Sequence, residues 1–333
     1  MKNLSDISIW RFGANFIPST AINQLEMWQQ ETFDPATIER ELGWAAAVGM
    51  RVMRVYLHDL LHVVDPAGLF RRMEEYLTIA DKFDIRTVFV FFDDCWKNDF
   101  AAGVQPPPVP GQHNSGWIKS PGRKATADRS EYPRLERYVK DVIKHFSSDQ
   151  RILLWDLYNE PGNGDAGDHE TLGMYQGSRS LELLKAVFDW AGSVNPDQPL
   201  TVGMWSWDPA MDELNRFAIE NSEVVSFHCY FAPETHAERM NSIRYLANGR
   251  PIICTEYMAR RRNSTFAGCL PMMKAANCTA INWGLVAGKT NTIYPWNWNI
   301  ADGEPDPYFH DVFRADGTAL YPEEVEFLSK INQ

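Results

Sequence analysis

The sequence predicts an α/β fold, a (β/α)8 barrel, formed as one domain over residues 1–333. Three observations carry that expectation. Eight short apolar runs recur along the chain, and helical patterns fill most of the gaps between them. Most of the runs are continuously apolar rather than alternating, the pattern of parallel strands buried on both faces. The length, 333 residues, suits a barrel of this kind with insertions.

The elements follow in order. Trp10 to Phe16 reads as the first strand. Asp34 and Pro35 form an N-cap and a first-turn proline, opening a helix that runs to Val48 and stops at Gly49. Arg51 to Leu57 is the second strand, followed by a helix whose apolar residues Leu69, Met73, Tyr76, Leu77 and Ala80 keep a helical rhythm. Thr87 to Phe92 is the third. Leu135, Tyr138, Val139, Val142, Ile143 and Phe146 then mark a helix before the fourth strand, Ile152 to Tyr158. The remaining strands are Leu200 to Trp205, Val224 to Tyr230, Ile252 to Tyr257 and Ala280 to Leu285. Helical patterns cover Leu181 to Val194, Pro209 to Glu220, Thr235 to Ala247, Phe266 to Ala276 and Pro322 to Ile331.

The largest insertion, residues 93–127, is proline-rich and holds Trp96, His113 and Trp117. A loop of this length in a compact domain is usually functional. Because it follows the third strand, it should lie on the C-terminal face of the barrel, over the active site.

Composition narrows the function. Hydrophobic content of 44% and charged content of 23% fit a globular protein with an ample core. A formal net charge of −12 argues against a nucleic-acid partner, and Arg260-Arg261-Arg262 is the only basic triplet. The chain has 12 tryptophans, whose flat faces suit both core packing and sugar binding. Five cysteines (Cys95, Cys229, Cys254, Cys269 and Cys278) form no C-x-x-C pair and read as reduced, structural thiols. The N-terminus shows no apolar signal region, which predicts a cytoplasmic protein, and no run is long enough to span a membrane.

Asn159-Glu160-Pro161 ends the fourth apolar run, and Glu256 ends the seventh. Two carboxylates at the C-terminal ends of buried strands are the minimum equipment for splitting a glycosidic bond, one donating a proton and the other serving as nucleophile or base. The triplet after a strand, with a later strand-end Glu, resembles glycoside hydrolase clan A, most closely the cellulase-like family 5. That resemblance implies a retaining β-glycosidase with Glu160 as general acid/base, Glu256 as nucleophile, and carboxyl groups about 5–5.5 Å apart. It needs no cofactor or metal, and its partner is an oligosaccharide.

The resemblance assigns further positions. Arg54 matches the Arg that hydrogen-bonds the nucleophile, and Asn159 the Asn that contacts the sugar 2-hydroxyl. His228 and Tyr230 match a His-x-Tyr pattern, the Tyr touching the nucleophile and the His lying near the acid/base. Trp283 matches the floor under the sugar. Trp205 and Trp207 follow the fifth strand and are candidates for neighbouring positions. Where many members carry a His after strand three, this chain has Asp93-Asp94-Cys95-Trp96. Asp94 and Trp96 are therefore candidate sugar contacts, although an acidic pair there also suits a loop cap. Lys289, in a polar segment after strand eight, is a further candidate.

The expected activity is exo-cleavage of plant-polysaccharide fragments, with an endo-acting glucanase, mannanase or xylanase as the nearest alternative. A catalytically silent carbohydrate-binding barrel is more remote, since both carboxylates are present. A metal-dependent barrel hydrolase would need ligands such as His-x-His on the first strand, which instead reads Gly13-Ala14-Asn15-Phe16.

Overall fold

The structure, a computed structural model, describes Leu4, residues 6–163 and residues 179–332. All eight strands form: β1 (Phe12–Asn15), β2 (Val52–Tyr56), β3 (Arg86–Asp93), β4 (Ile152–Asn159), β5 (Leu200–Gly203), β6 (Val225–His228), β7 (Ile252–Glu256) and β8 (Thr279–Asn282). They pair in parallel in the order β5-β4-β3-β2-β1-β8-β7-β6. β5 and β6, at the ends of that order, meet through a parallel bridge between Met204 and Phe227, with His228 N donating to Met204 O at 2.8 Å. The result is a nearly closed (β/α)8 barrel. Every strand residue except Arg86 is buried, which is why the runs read as continuously apolar.

Between the strands lie α1 (Pro35–Ala47), α2 (Pro66–Asp81), α3 (Tyr132–His145), α4 (Arg179–Val194), α5 (Asp212–Asn221), α6 (Pro233–Ala247), α7 (Phe266–Ala275) and α8 (Pro322–Lys330). The Asp34 carboxylate caps α1 by accepting from Thr37 N at 3.0 Å. Gly49 follows its end with φ 88°, a conformation that favours glycine. No helix among the described residues is long and apolar enough to cross a membrane.

Three differences from the sequence reading have local causes. Several strands end earlier than expected, because Trp205, Tyr230 and Leu285 leave the ladder yet stay wholly or partly covered at the barrel mouth. The helix expected from Pro209 breaks into a 3-10 turn, Pro209–Met211, capped by Asp208, before α5 begins. Short helices at Gln24–Trp28, Asp59–Val64 and Arg123–Ala127 were not expected, since five or six residues are too few for a periodic pattern.

The segment 93–127 is well tied. Asp93 bridges Ser120, and Lys97 bridges Ile118. Its middle leans on the segment after β8: Asn114 N donates to Thr290 O at 2.8 Å, Asn291 Nδ2 to Val109 O at 2.8 Å, and His113 Nδ1 to Tyr294 O at 2.7 Å. Two loops from the C-terminal ends of β3 and β8 are thereby joined into one wall.

Candidate active site

Arg54 organises the C-terminal mouth of the barrel. Its guanidinium is fully buried and donates to Asp156 Oδ2 at 2.9 Å, Asn15 Oδ1 at 2.9 Å, Glu256 Oε1 at 3.0 Å and Asn159 Oδ1 at 2.6 Å. A charge so far from water is tolerated only with anionic partners and satisfied donors, and this one has both. Gly203 on β5 makes room for the convergence. A Cβ there would lie 3.0 Å from both Arg54 Nη2 and His228 Nε2.

Glu256, the last residue of β7, receives strong donors. Arg54 and the Tyr56 hydroxyl (3.0 Å) share Oε1, and the Tyr230 hydroxyl donates to Oε2 at 2.7 Å. Glu160 follows β4 in a left-handed conformation, φ 46°, immediately before Pro161. Such a conformation costs about 1–3 kcal/mol at a non-glycine residue and is held by its surroundings. Here Glu160 N donates to Gly203 O at 2.9 Å, and Asn163 N returns to Glu160 O at 3.0 Å. The Glu160 carboxylate meets His228 Nδ1 at 2.6 Å on Oε1, and the Cys95 thiol at 3.1 Å and the Asn163 amide on Oε2.

His228 stands between the two acids, its Nδ1 also 3.5 Å from Glu256 Oε2. One oxygen of each glutamate and one His228 nitrogen lie within 4.8 Å of one another. That spacing also suits a small metal ion. Arg54 already supplies a positive charge at the same spot, however, bonded directly to Glu256.

Burial pushes both carboxyl groups above their usual range. Arg54 and the Tyr230 hydroxyl oppose the rise at Glu256, while the Glu160 charge adds to it. At Glu160 the bonds from Cys95 and Asn163, and the Arg54 charge, oppose it. Burial lowers His228 to about 4, so its ring is neutral at ordinary pH. Burial and the nearby carboxylates hold the Cys95 thiol well above its usual range, so it remains a donor.

The other expected positions divide. Asn159 is fixed on both sides, accepting from Arg54 and donating to Asp93 Oδ1 at 2.9 Å. Trp283 packs edge-on against Tyr56 and Trp117, with centroids at 5.9 and 5.5 Å. Trp96 is exposed at the rim and stacks on His113. Trp205 is half-buried and donates to Pro161 O at 3.3 Å, beside Glu160. Trp207 lies under the Arg239 guanidinium, 4.3 Å from its ring centre.

Two candidates are engaged elsewhere. Asp94 accepts from Tyr158 OH at 2.8 Å, Gly162 N at 2.7 Å and Ser180 Oγ at 2.6 Å. Its carboxylate therefore ties β4, the turn after Glu160 and α4 together, the capping role rather than the sugar contact. Lys289 pairs with Glu26 at 2.6 Å instead of reaching freely toward a sugar.

Sequence reasoning missed Asn15, Tyr56, Asp156, Asn163 and the part played by Cys95. Tyr56 was the most accessible of these, because it sits two residues after Arg54 and must share its face of the strand. The sequence places Cys95 with the packing thiols; the other four are buried, and all five are free.

The sequence model of the family described as Cellulase (glycosyl hydrolase family 5) matches residues 111–302. No curated protein matches. Among solved structures, a GH5_18 variant from Streptomyces cattleya in complex with Manb1-4GlcNAc is similar at 12% identity and TM-score 0.66, covering 97% of this chain and 80% of that one. The endo-1,4-beta-D-mannanase of Thermotoga petrophila RKU-1 is similar at 14% identity and TM-score 0.59, covering 97% and 99%. An exo-beta-1,4-mannosidase from Opitutaceae bacterium strain TAV5 is similar at 14% and TM-score 0.62, covering 97% of this chain but 59% of that one. These likenesses carry the fold. The family match, which spans more than half of the sequence, carries the identity: the chain belongs to glycosyl hydrolase family 5 and is a glycoside hydrolase.

Proposed function

We propose that the protein is a retaining, exo-acting β-glycosidase that removes single sugars from β-linked oligosaccharides derived from plant-type polysaccharides. Glu256 is the nucleophile and Glu160 the general acid/base. The observation that carries this reading is the close approach of the two carboxylates, within 4.8 Å through one oxygen of each. An inverting enzyme would leave about 6.5–9.5 Å for a water molecule.

In the first step a Glu256 oxygen bonds to the anomeric carbon as the glycosidic bond breaks, and the departing oxygen takes the Glu160 proton. Glu160, now ionised, then removes a proton from water. That water attacks the anomeric carbon and releases Glu256. Arg54, Tyr56 and Tyr230 keep Glu256 ionised and aimed, and Asn159 is the candidate contact for the 2-hydroxyl.

Exo-action is supported by the wall formed by segment 93–127 and the segment after β8. Trp117 is part of that wall. It packs against Tyr56 at 5.1 Å and donates to Asp93 Oδ2 at 2.7 Å, closing one side of the site. Mannosides are the first glycone to test, because β-mannoside-acting enzymes recur among the similar structures. Those structures also include an endo-mannanase, which keeps mid-chain cleavage as the second reading.

A panel of aryl β-glycosides, with the anomer of the first product read by NMR, should give a β-configured first product. A 2-deoxy-2-fluoro glycoside of the preferred sugar should label Glu256, seen by mass spectrometry of the digested protein. An α-configured first product would overturn the mechanism. Mid-chain fragments from an oligosaccharide would overturn exo-action alone.

A further inference from the structure

A narrow cavity opens between the ends of β1, β2 and β8, beneath the two joined loops. Tyr56, Trp117 and Trp283 form its apolar side, and Asn114, Thr292 and Asp311 its polar end. It adjoins the reacting centre, because Tyr56 lines it and places its hydroxyl 3.0 Å from Glu256 Oε1. The room suits small polar groups rather than a second sugar ring.

The polar end is built from two separate loops. Asn114, 2% exposed, comes from segment 93–127, with its backbone fixed by Thr290. Asp311, fully buried, comes from the segment after β8, and its Oδ2 accepts from Thr292 Oγ1 at 2.7 Å. One oxygen of each, Asn114 Oδ1 and Asp311 Oδ1, is buried without a hydrogen-bond partner among the described residues. Gly284, φ 81°, permits that placement, since a Cβ there would come within 2.5 Å of Asp311 Oδ1. Leaving a buried acceptor unpaired is costly, more so when it is charged. Asn114 and Asp311, each with an unpaired acceptor, line the same cavity beside the catalytic pair, which matches a ligand that brings donors.

In a pyranose ring C4 lies opposite C1. With C1 at Glu256, the edge farthest from the reaction carries the 4-hydroxyl, flanked by the 3-hydroxyl and the hydroxymethyl group. A terminal sugar offers hydroxyl donors there. A sugar inside a 1,4-linked chain presents an ether oxygen with no proton, followed by another ring. We infer that Asn114 and Asp311 are specificity residues that receive the 4-hydroxyl edge of the terminal sugar and confine cleavage to chain ends. The substrate class is a β-linked oligosaccharide with an unsubstituted non-reducing pyranose. This inference rests on the exo-glycosidase reading and deepens it.

The test compares the best aryl β-glycoside from the panel with its 4-deoxy and 4-O-methyl analogues, using the wild type, Asn114→Ala and Asp311→Asn. For the wild type, kcat/KM should fall about 10- to 100-fold on the 4-deoxy analogue and further on the 4-O-methyl one. Each variant should lose a similar factor on the parent glycoside and then discriminate much less between parent and 4-deoxy. Variants that discriminate as sharply as the wild type overturn the inference, as does a wild type indifferent to the 4-position. Should Asp311→Asn fail to fold, Asn114→Ala carries the test, because the oxygen it removes holds nothing in the free protein. Oligosaccharide products separate the two levels. Mid-chain cuts by the wild type bring down the exo reading itself, whereas chain-end release with unchanged discrimination brings down only the assignment of these two residues.

Discussion

Glu160 and Glu256 share one pocket but not one environment. Glu256 is gripped by a guanidinium and two phenolic hydroxyls. Glu160 is held by a thiol, an amide and a neutral imidazole, with no direct cationic partner. Charge-assisted donors favour the ionised form far more than weak neutral ones do. Two buried carboxylates this close tend to share a single proton, and the asymmetry of donors gives that proton to Glu160. On the proposed mechanism, this is what lets one acid attack while the other donates.

The largest test removes each acid in turn. Glu256→Gln should cost roughly 10^4-fold or more in kcat with every substrate and should abolish labelling by the fluoro-glycoside. Glu160→Ala should be just as damaging toward natural oligosaccharides. It should retain activity toward aryl glycosides whose leaving groups need no proton, and azide should restore turnover by attacking the glycosyl-enzyme. If azide instead rescues the Glu256 variant and yields a glycosyl azide of retained configuration, the two roles are exchanged and the comparison is read backwards.

Arg54→Leu should be next in size and should affect two properties together. Removing the cation leaves Asp156 buried beside Glu256, and stranding a buried charge in this way costs about 3–5 kcal/mol of folding stability, measurable by urea unfolding. Glu256 also loses the partner that opposes its raised pKa, so the acidic limb of the kcat/KM profile should move to higher pH. Adding Asp156→Asn should recover much of the stability but not the acidic limb. Were the limb unmoved in either variant, the strong-donor account of Glu256 would fail.

The strands, the two glutamates and the Arg54, His228 and Tyr230 positions were legible because each is local. An apolar run ends, and an unusual polar residue stands at its end. Arg54 inside a buried strand is conspicuous in the sequence for the same reason that it is costly in the structure. The donors to Glu160 were not legible. Cys95 and Asn163 lie on two different loops, and nothing in the residue types shows that both converge on one oxygen. Asp94 and Lys289 show the same limit from the other side. Their residue types suit a sugar, but Tyr158, Gly162 and Ser180 claim the first and Glu26 the second, and those partners become neighbours only once the barrel has closed.

The finest test concerns the weak side of the comparison, where the family's usual His is replaced. Cys95 donates to Glu160 Oε2 and so favours its ionised form, but a thiol does this less well than a hydroxyl. Because Glu160 must be protonated to donate, the basic limb of kcat/KM should follow its pKa. Cys95→Ala removes a donor to the carboxylate, so the pKa rises and the limb moves to higher pH. Cys95→Ser supplies a stronger donor, so the limb moves to lower pH. Each displacement should be roughly 0.5–1 pH unit, from a hydrogen bond worth about 0.5–1.5 kcal/mol net. The acidic limb, governed by Glu256, should stay in place in both. A general loosening of the site would move the limbs the same way in both variants or merely lower kcat, whereas opposite movements of the basic limb alone require the thiol to act through Glu160.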